Sequence, residues 1–294
     1  MAASNNVAVL GASGIGKFHA RDLQANGCDV VAILGSSPQT AEATAENLKE
    51  FNVNAKPFHH LPTLLQQDLN GVSVCTPPEQ HSTMVEKCLE AGLHVMCEKP
   101  FVFDGDVNAP RAQALVDLAK KKGKVLAVNT QWPSILPQLP VPSPLKAFSM
   151  YMEPCGRDAR THIIEAVPHM NSLLLKLLPS GKVENLTVEV GQLTTIAFDW
   201  AYPGGPCKVK FELVGKEERP RAFKITFNDD EYVRELGENY EQSLVCKGQN
   251  FPIKDPLTES IKRFVEAMGG GQPLVTTEEI VQNVSIMDQI VANL

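Results

Sequence analysis

Val7-Ala-Val-Leu10 runs directly into Gly11-Ala-Ser-Gly-Ile-Gly16 and then into an amphipathic stretch that reaches about Ala25. A strand, a glycine-rich loop and a helix in that order let backbone N–H groups approach a pyrophosphate, which the positive helix N-terminus also favours. Gly11, Ser13, Gly14, Ile15 and Gly16 are therefore the first candidate cofactor contacts. In the strict G-x-G-x-x-G spacing the middle glycine is here Ser13, which still offers its N–H and a hydroxyl. Taken alone, the loop also reads as a tight turn between strand and helix. The rest of the chain's first half decides between the two.

Downstream of the loop, short apolar strands alternate with helices. Strands are expected at Asp29–Leu34, around Ala55–Phe58, at Gly71–Cys75, Leu93–Cys97 and Lys124–Val128. Helices are expected over Pro38–Phe51, near Leu61–Gln67, from about Glu79 to Ala91 and over Asn108–Lys122. Such alternation implies parallel pairing with right-handed crossovers, a doubly wound α/β sheet. The second strand ends in Leu34-Gly35-Ser36-Ser37, with no carboxylate to take the ribose 2′-OH of NAD. Two hydroxyls there favour the 2′-phosphate of NADP over NAD, although Ser36-Ser37-Pro38 also reads as a plain helix cap.

The pattern changes near Asn129. Five prolines (133, 137, 140, 142 and 144) predict an extended connection. A single helix comes next, over Glu165–Leu178. Strands then run at Leu186–Val190, Thr194–Trp200, Lys208–Val214, Ala222–Phe227, Tyr232–Leu236 and Ser243–Cys246. Turn signals at Pro203–Pro206 and Asn228–Asp230 predict antiparallel neighbours. Two amphipathic helices close the chain. The domains expected are 1–128, for the dinucleotide, and 129–294, for substrate and oligomerisation, with the terminal helices free to pack back on the first.

Composition excludes several classes. The chain has 294 residues, 21% charged and 43% hydrophobic, with a net charge of −7. That is the balance of a globular protein of about two domains, and its sign disfavours nucleic acid. No apolar run approaches the ~18 residues of a spanning helix, so no membrane role is expected. The first residues do not read as a signal peptide. Seven scattered cysteines without a C-x-x-C pair suit a reducing, cytoplasmic setting, and no metal site is expected.

Three stretches together resemble the glucose–fructose oxidoreductase / inositol dehydrogenase / MocA-like family. They are Val9–His19, Cys75-Thr-Pro-Pro-Glu-Gln-His81 and Ala91-Gly-Leu-His-Val-Met-Cys-Glu-Lys-Pro-Phe101. The resemblance implies an N-terminal Rossmann domain, a C-terminal domain on an open, mainly antiparallel sheet, a nicotinamide cofactor (NADP or NAD) and a homodimer or homotetramer through that sheet. By the same resemblance Cys75, Thr76, Pro77, His81, Glu98 and Gln131 join the cofactor contacts, and Lys99 polarises the reacting oxygen or relays its proton. A surface lysine is the plain alternative, but Lys99 falls at a parallel strand's carboxyl edge, where ligands bind.

The family's second signature, D-x-G-x-H-x-x-D, maps onto Glu165-Ala-Val-Pro-His169-Met-Asn-Ser172. Positions 165, 169 and 172 share one helix face, and Pro168 is expected in the first turn. His169 is the candidate general acid or base. Ser172 replaces the carboxylate that commonly holds sugar hydroxyls in the family. The compressed segment after Gln131 leaves Trp132, Arg157, Arg160 and His162 as stand-in contacts for a small polar or anionic substrate, or as a solvated loop. The expectation is an NAD(P)-dependent oxidoreductase moving a hydride to or from a carbonyl or alcohol carbon. The altered signature also motivates a rival, a catalytically silent dinucleotide-binding sensor.

Overall fold

The computed structural model describes residues 5–156, 158–238 and 241–294, and the chain divides into two compact units. The first takes the chain to Asn129 together with Leu257–Val281; the second takes Thr130–Pro256 with Gln282–Leu294.

In the first unit, β1 (Asn5–Leu10), β2 (Cys28–Leu34), β3 (Lys56–Phe58), β4 (Gly71–Val74), β5 (His94–Glu98) and β6 (Leu126–Asn129) form one sheet. Its order is β3-β2-β1-β4-β5-β6, and every pair is parallel. Val7, Ala8, Val9 and Leu10 are all wholly buried, as parallel strands covered on both faces require. Helices α1 (Gly16–Ala25), α2 (Pro38–Leu48), α3 (Leu61–Leu64), α4 (His81–Glu90) and α5 (Ala109–Lys122) alternate with the strands. Because β1 is flanked by β2 and β4, the winding reverses there, and the crevice at the carboxyl ends of β1 and β4 is where such sheets bind ligands.

In the second unit, α6 (Ala159–Leu177) packs on an eight-stranded sheet. Its strands are β7 (Ala147–Met152), β8 (Lys182–Glu189), β9 (Thr194–Tyr202), β10 (Gly205–Leu213), β11 (Phe223–Phe227), β12 (Asp230–Leu236), β13 (Gln242–Cys246) and β14 (Gln249–Ile253). Ile196, Phe198 and Trp200 on β9 and Val209, Phe211 and Leu213 on β10 are buried on alternate positions, in one core with Val167, Met170 and Leu174 of α6. The opposite face carries ion pairs such as Lys208–Asp199 and Lys210–Glu212.

Four details differ from the sequence expectations. The proline run is not wholly extended: Trp132–Gln138 forms a 3-10 helix, because Pro133 lies in its first turn, where the missing N–H costs nothing. β7 and β14 were not expected. β7 enters between β10 and β11, parallel to β10, so those two strands are not neighbours. Finally, α6 starts six residues before the expected Glu165, at Ala159, capped by the Asp158 carboxylate accepting from Thr161 N at 2.8 Å. Pro168 is consequently in the helix interior rather than its first turn. Arg157 lies outside the described residues.

Candidate functional site

The glycine loop is built by two close approaches. Gly11 has φ +85°, and a Cβ there would stand 2.6 Å from the carbonyl oxygen of Cys75. A Cβ on Gly16 would meet Gly11 O at 2.4 Å. Only glycine permits this packing of loop against the end of β4. Gly14 is different, since no atom lies within 4 Å of its Cβ position. Ser13, Gly14 and Ile15 are exposed, and the loop runs straight into α1. Beside it the Thr76 hydroxyl is buried with no hydrogen-bond partner among the described residues. An open glycine, an unsatisfied hydroxyl and a helix N-terminus fit a dinucleotide.

At the end of β2, Ser37 caps α2: its Oγ accepts from Thr40 N at 3.2 Å, and Thr40 Oγ1 accepts from Ser37 N at 2.9 Å. This is a reciprocal capping box. Ser36 is exposed, with its Oγ 3.2 Å from Thr40 Oγ1. The hydroxyl of Ser37 is therefore already engaged in the fold. Ser37→Ala should cost about 1 kcal/mol of stability, measured by chemical denaturation of the cofactor-free protein.

Beyond β4, His81 is buried, and its ring nitrogens lie 2.8 Å from Thr76 O and 2.7 Å from Pro100 O. It ties the segment after β4 to the segment after β5. Cys75 and Pro77 border that segment, half-buried and exposed respectively. Lys99 is half-buried immediately past the carboxyl end of β5.

Glu98, expected among the cofactor contacts, turns its carboxylate into the unit and is only 6% exposed. Oε1 accepts from Asn129 Nδ2 and stands 2.8 Å from Nε2 of His19; Oε2 accepts from Lys99 N at 3.3 Å. His19 is wholly buried, with Nδ1 2.8 Å from the Ser73 hydroxyl, which in turn lies 3.5 Å from Cys75 Sγ. Burial disfavours the Glu98 carboxylate, yet the His19 hydrogen bond and charge, with Lys99 and Asn129, hold its pKa down at about 2. Burial likewise opposes the His19 imidazolium, but Cys75 and then Glu98 raise it to about 10. A buried ion pair thus anchors the residue preceding Lys99. Reading by sequence missed His19, Ser73 and Asn129 as members of this site.

In the second unit the carbonyl of Thr130 is a hub. It accepts from Trp132 N at 2.5 Å, across a tight turn that holds Gln131 at φ 33°. Nδ1 of buried His169 lies 3.1 Å away, and the Ser172 hydroxyl donates to it at 3.4 Å and to His169 O at 2.8 Å. A carbonyl only accepts, so Nδ1 of His169 carries a proton and Nε2 is the basic nitrogen of the neutral ring. Strain at Gln131, a non-glycine in the left-handed region, is the kind stored at functional sites. Ser172 is buried and bonded within its own unit. Trp132 is 3% exposed, stacked on Phe223 in the core, so it packs rather than lining a surface. His162 is half-buried with Nε2 3.0 Å from Gly156 O, while Arg160 and Glu165 lie earlier on α6 than His169.

Known proteins share this arrangement of loop and sheet. Residues 5–130 match the model of an oxidoreductase family with an NAD-binding Rossmann fold. A UDP-N-acetylglucosamine 3-dehydrogenase of Acidithiobacillus ferrooxidans is 32% identical over 121 residues, 41% of this chain and 35% of that one. A D-glucoside 3-dehydrogenase of Escherichia coli is 37% identical over 125 residues, 42% of this chain and 34% of that one. These matches span about a third of the relatives' length. Among solved structures, the same Acidithiobacillus enzyme superposes with a TM-score of 0.77 at 18% identity, covering 99% of this chain and 98% of that one. A 3-ketoreductase of Actinomadura kijaniata, in complex with TDP-benzene and NADP, gives 0.76 at 17% identity, covering 99% and 98%. At such identities the likeness is one of fold.

Proposed function

Since residues 5–130 belong to the Gfo/Idh/MocA oxidoreductase family, we propose that the protein is an NAD(P)-dependent dehydrogenase or reductase acting on a small polar substrate. The observation that carries this reading is the shared edge of one parallel sheet. The open glycine loop follows β1 and Lys99 follows β5, so both stand at the sheet's carboxyl edge. When bound, the nicotinamide cofactor supplies or accepts the hydride. The loop residues Gly11–Gly16 hold the pyrophosphate, and Cys75, Thr76 and Pro77 border the groove. Lys99 Nζ donates to the reacting oxygen and stabilises its developing charge. Within the second unit, His169, its ring fixed by Thr130 O, keeps Nε2 as a candidate acid or base.

NADP is the preferred cofactor in this proposal, because the segment after β2, Gly35-Ser36-Ser37, has no carboxylate to repel a 2′-phosphate. The substrate is a carbonyl or alcohol; sugar-like compounds are the first class to screen, given the names of the relatives. That Ser172 replaces a carboxylate sets this chain apart from the family's usual way of holding them. We also propose a cytoplasmic homodimer or homotetramer assembled through the second unit's sheet. No helix among the described residues is long and apolar enough to cross a membrane.

Fluorescence titration with NADPH and NADH tests the reading, with Gly14→Ala as its structural control. Because the Gly14 Cβ position touches nothing, the variant should fold as the parent does, yet its methyl enters the space needed for close approach to a pyrophosphate. We expect NADPH to bind tighter than NADH and Gly14→Ala to weaken both by about tenfold or more, about 1.4 kcal/mol. If neither nucleotide binds the parent protein at near-millimolar concentration, the loop is only a turn and the proposal fails.

A further inference from the structure

The second unit contains a sheltered cation, Arg234, with no ion-pair partner among the described residues. The Arg234 guanidinium carbon lies 5.9 Å from the ring centroid of Trp132 and 5.6 Å from that of Phe223. Those two rings are stacked, 3.8 Å apart and within 13° of parallel. A point almost equidistant from two stacked rings stands beside the stack, over neither face. Ring rims carry the positive part of the aromatic quadrupole, so the stack does little to balance the guanidinium. Its one hydrogen-bond acceptor among the described residues is the carbonyl of Arg221, at 2.5 Å.

The surrounding charges do not supply the missing anion. Burial, then the neighbouring Arg219, push the Arg234 pKa down, and only Glu153 opposes them. Glu153 is itself committed, to Lys216 at 3.1 Å, to Ala222 N at 2.7 Å and to the Tyr151 hydroxyl at 3.2 Å. Beside it, Trp132 Nε1 is closed off from solvent with no acceptor among the described residues. Buried donors are nearly always satisfied. A half-buried guanidinium with one carbonyl acceptor, beside an indole N–H with none, describes a place that an acceptor would complete.

We propose that Arg234, with Trp132, forms a binding site for an oxyanion, the carboxylate or phosphate of a small-molecule ligand. A guanidinium has five donors in one plane, and its fork matches two oxygens of either group. Arg234 is half-buried and is the member a ligand reaches. The sheltered surroundings strengthen its attraction for an anion. Every named residue lies in the second unit, so the site stands whether or not the first unit binds a dinucleotide.

The full-length protein labelled with 15N gives two indole N–H signals, from Trp132 and Trp200; Trp132→Phe assigns them. Trp200 Nε1 already donates to Leu178 O at 2.8 Å and serves as the internal reference. Inorganic phosphate and, separately, malonate are titrated at an ionic strength held constant with chloride. The Trp132 signal should move saturably while that of Trp200 stays. A response to phosphate alone identifies a phosphate ligand, to malonate alone a carboxylate, and to both a general oxyanion site. Arg234→Gln should abolish the response, and Arg234→Lys, which keeps the charge but loses the fork, should weaken it about tenfold; Arg234→Lys suffices if the glutamine variant does not fold. A Trp132 signal that moves with neither anion, or moves equally in the variants, overturns the proposal. NADPH titration of the parent protein reports separately on the first unit.

Discussion

Glu98→Ala should destabilise the first unit by about 3–5 kcal/mol, the cost of leaving one member of a buried ion pair without its partner. The substitution strips His19 Nε2 and Asn129 Nδ2 of their shared acceptor in a place water does not reach. Glu98→Gln keeps the shape but not the charge, so it should recover only part of the loss. Both tryptophans, Trp132 and Trp200, lie in the second unit. Hydrogen exchange of the β1, β4 and β5 amides is therefore the appropriate readout, and an unchanged exchange rate in Glu98→Ala would falsify the assignment of the pair as an anchor. The pH dependence has a defined sign. Glu98 is depressed from 4.5 to about 2, so its contribution is complete above 4.5 and is lost as pH falls toward 2. His19 is raised from 6.5 to about 10, so its contribution is complete below 6.5 and is lost as pH rises toward 10. The pair is fully effective only between about pH 4.5 and 6.5. In Glu98→Ala the acid limb should disappear.

The same pair shows where reading by sequence stops. The glycine loop, the six parallel strands and the position of Lys99 come from local patterns: a periodicity, a glycine spacing, a strand end. His19 stands 54 positions from Ser73, 79 from Glu98 and 110 from Asn129, so no local pattern joins them. The available signal was a histidine beside Ala20 and Leu23 on the apolar side of α1, which reads as an ordinary core position. Strand order in the second unit fails for a related reason. Ala147–Met152 alternates correctly, with Phe148 and Met150 inward, yet it comes after a proline run and pairs with strands more than sixty residues later. Register in a sheet is set by packing of distant segments, and sequence neighbours need not pair. Helix α6 starts earlier than expected because Asp158 is the cap, and a lone aspartate is a weaker sequence signal than the 165–172 signature inside the helix. The setting of Arg234 is equally non-local, since its neighbouring rings and its acceptor come from Trp132, Phe223 and Arg221.

Lys99→Ala should lower turnover by about 10²–10⁴-fold while leaving NADPH affinity within about threefold, under 1 kcal/mol. The reasoning is differential: a cation that meets charge only as it develops on the reacting oxygen contributes to the transition state, not to cofactor binding. Its backbone is held independently of its side chain. Lys99 N donates to Glu98 Oε2 at 3.3 Å, and the next residue's carbonyl, Pro100 O, is tied to His81. Removing the ammonium should therefore not disturb the strand end, and exchange of the β5 amides should match the parent. The measurement is NADPH oxidation with a panel of small keto-sugars and other polar carbonyl compounds, using Lys99→Ala and Lys99→Arg. A point charge that delivers one donor should be replaced poorly by a planar fork, so arginine should restore only a minor part. Turnover by Lys99→Ala at the parent rate would move the chemistry elsewhere, with His169→Ala and its pH profile the next test. NADPH binding without turnover of any carbonyl by the parent would instead favour the silent sensor that Ser172 suggests. In that case Lys99→Ala should change affinity for the second ligand and nothing else.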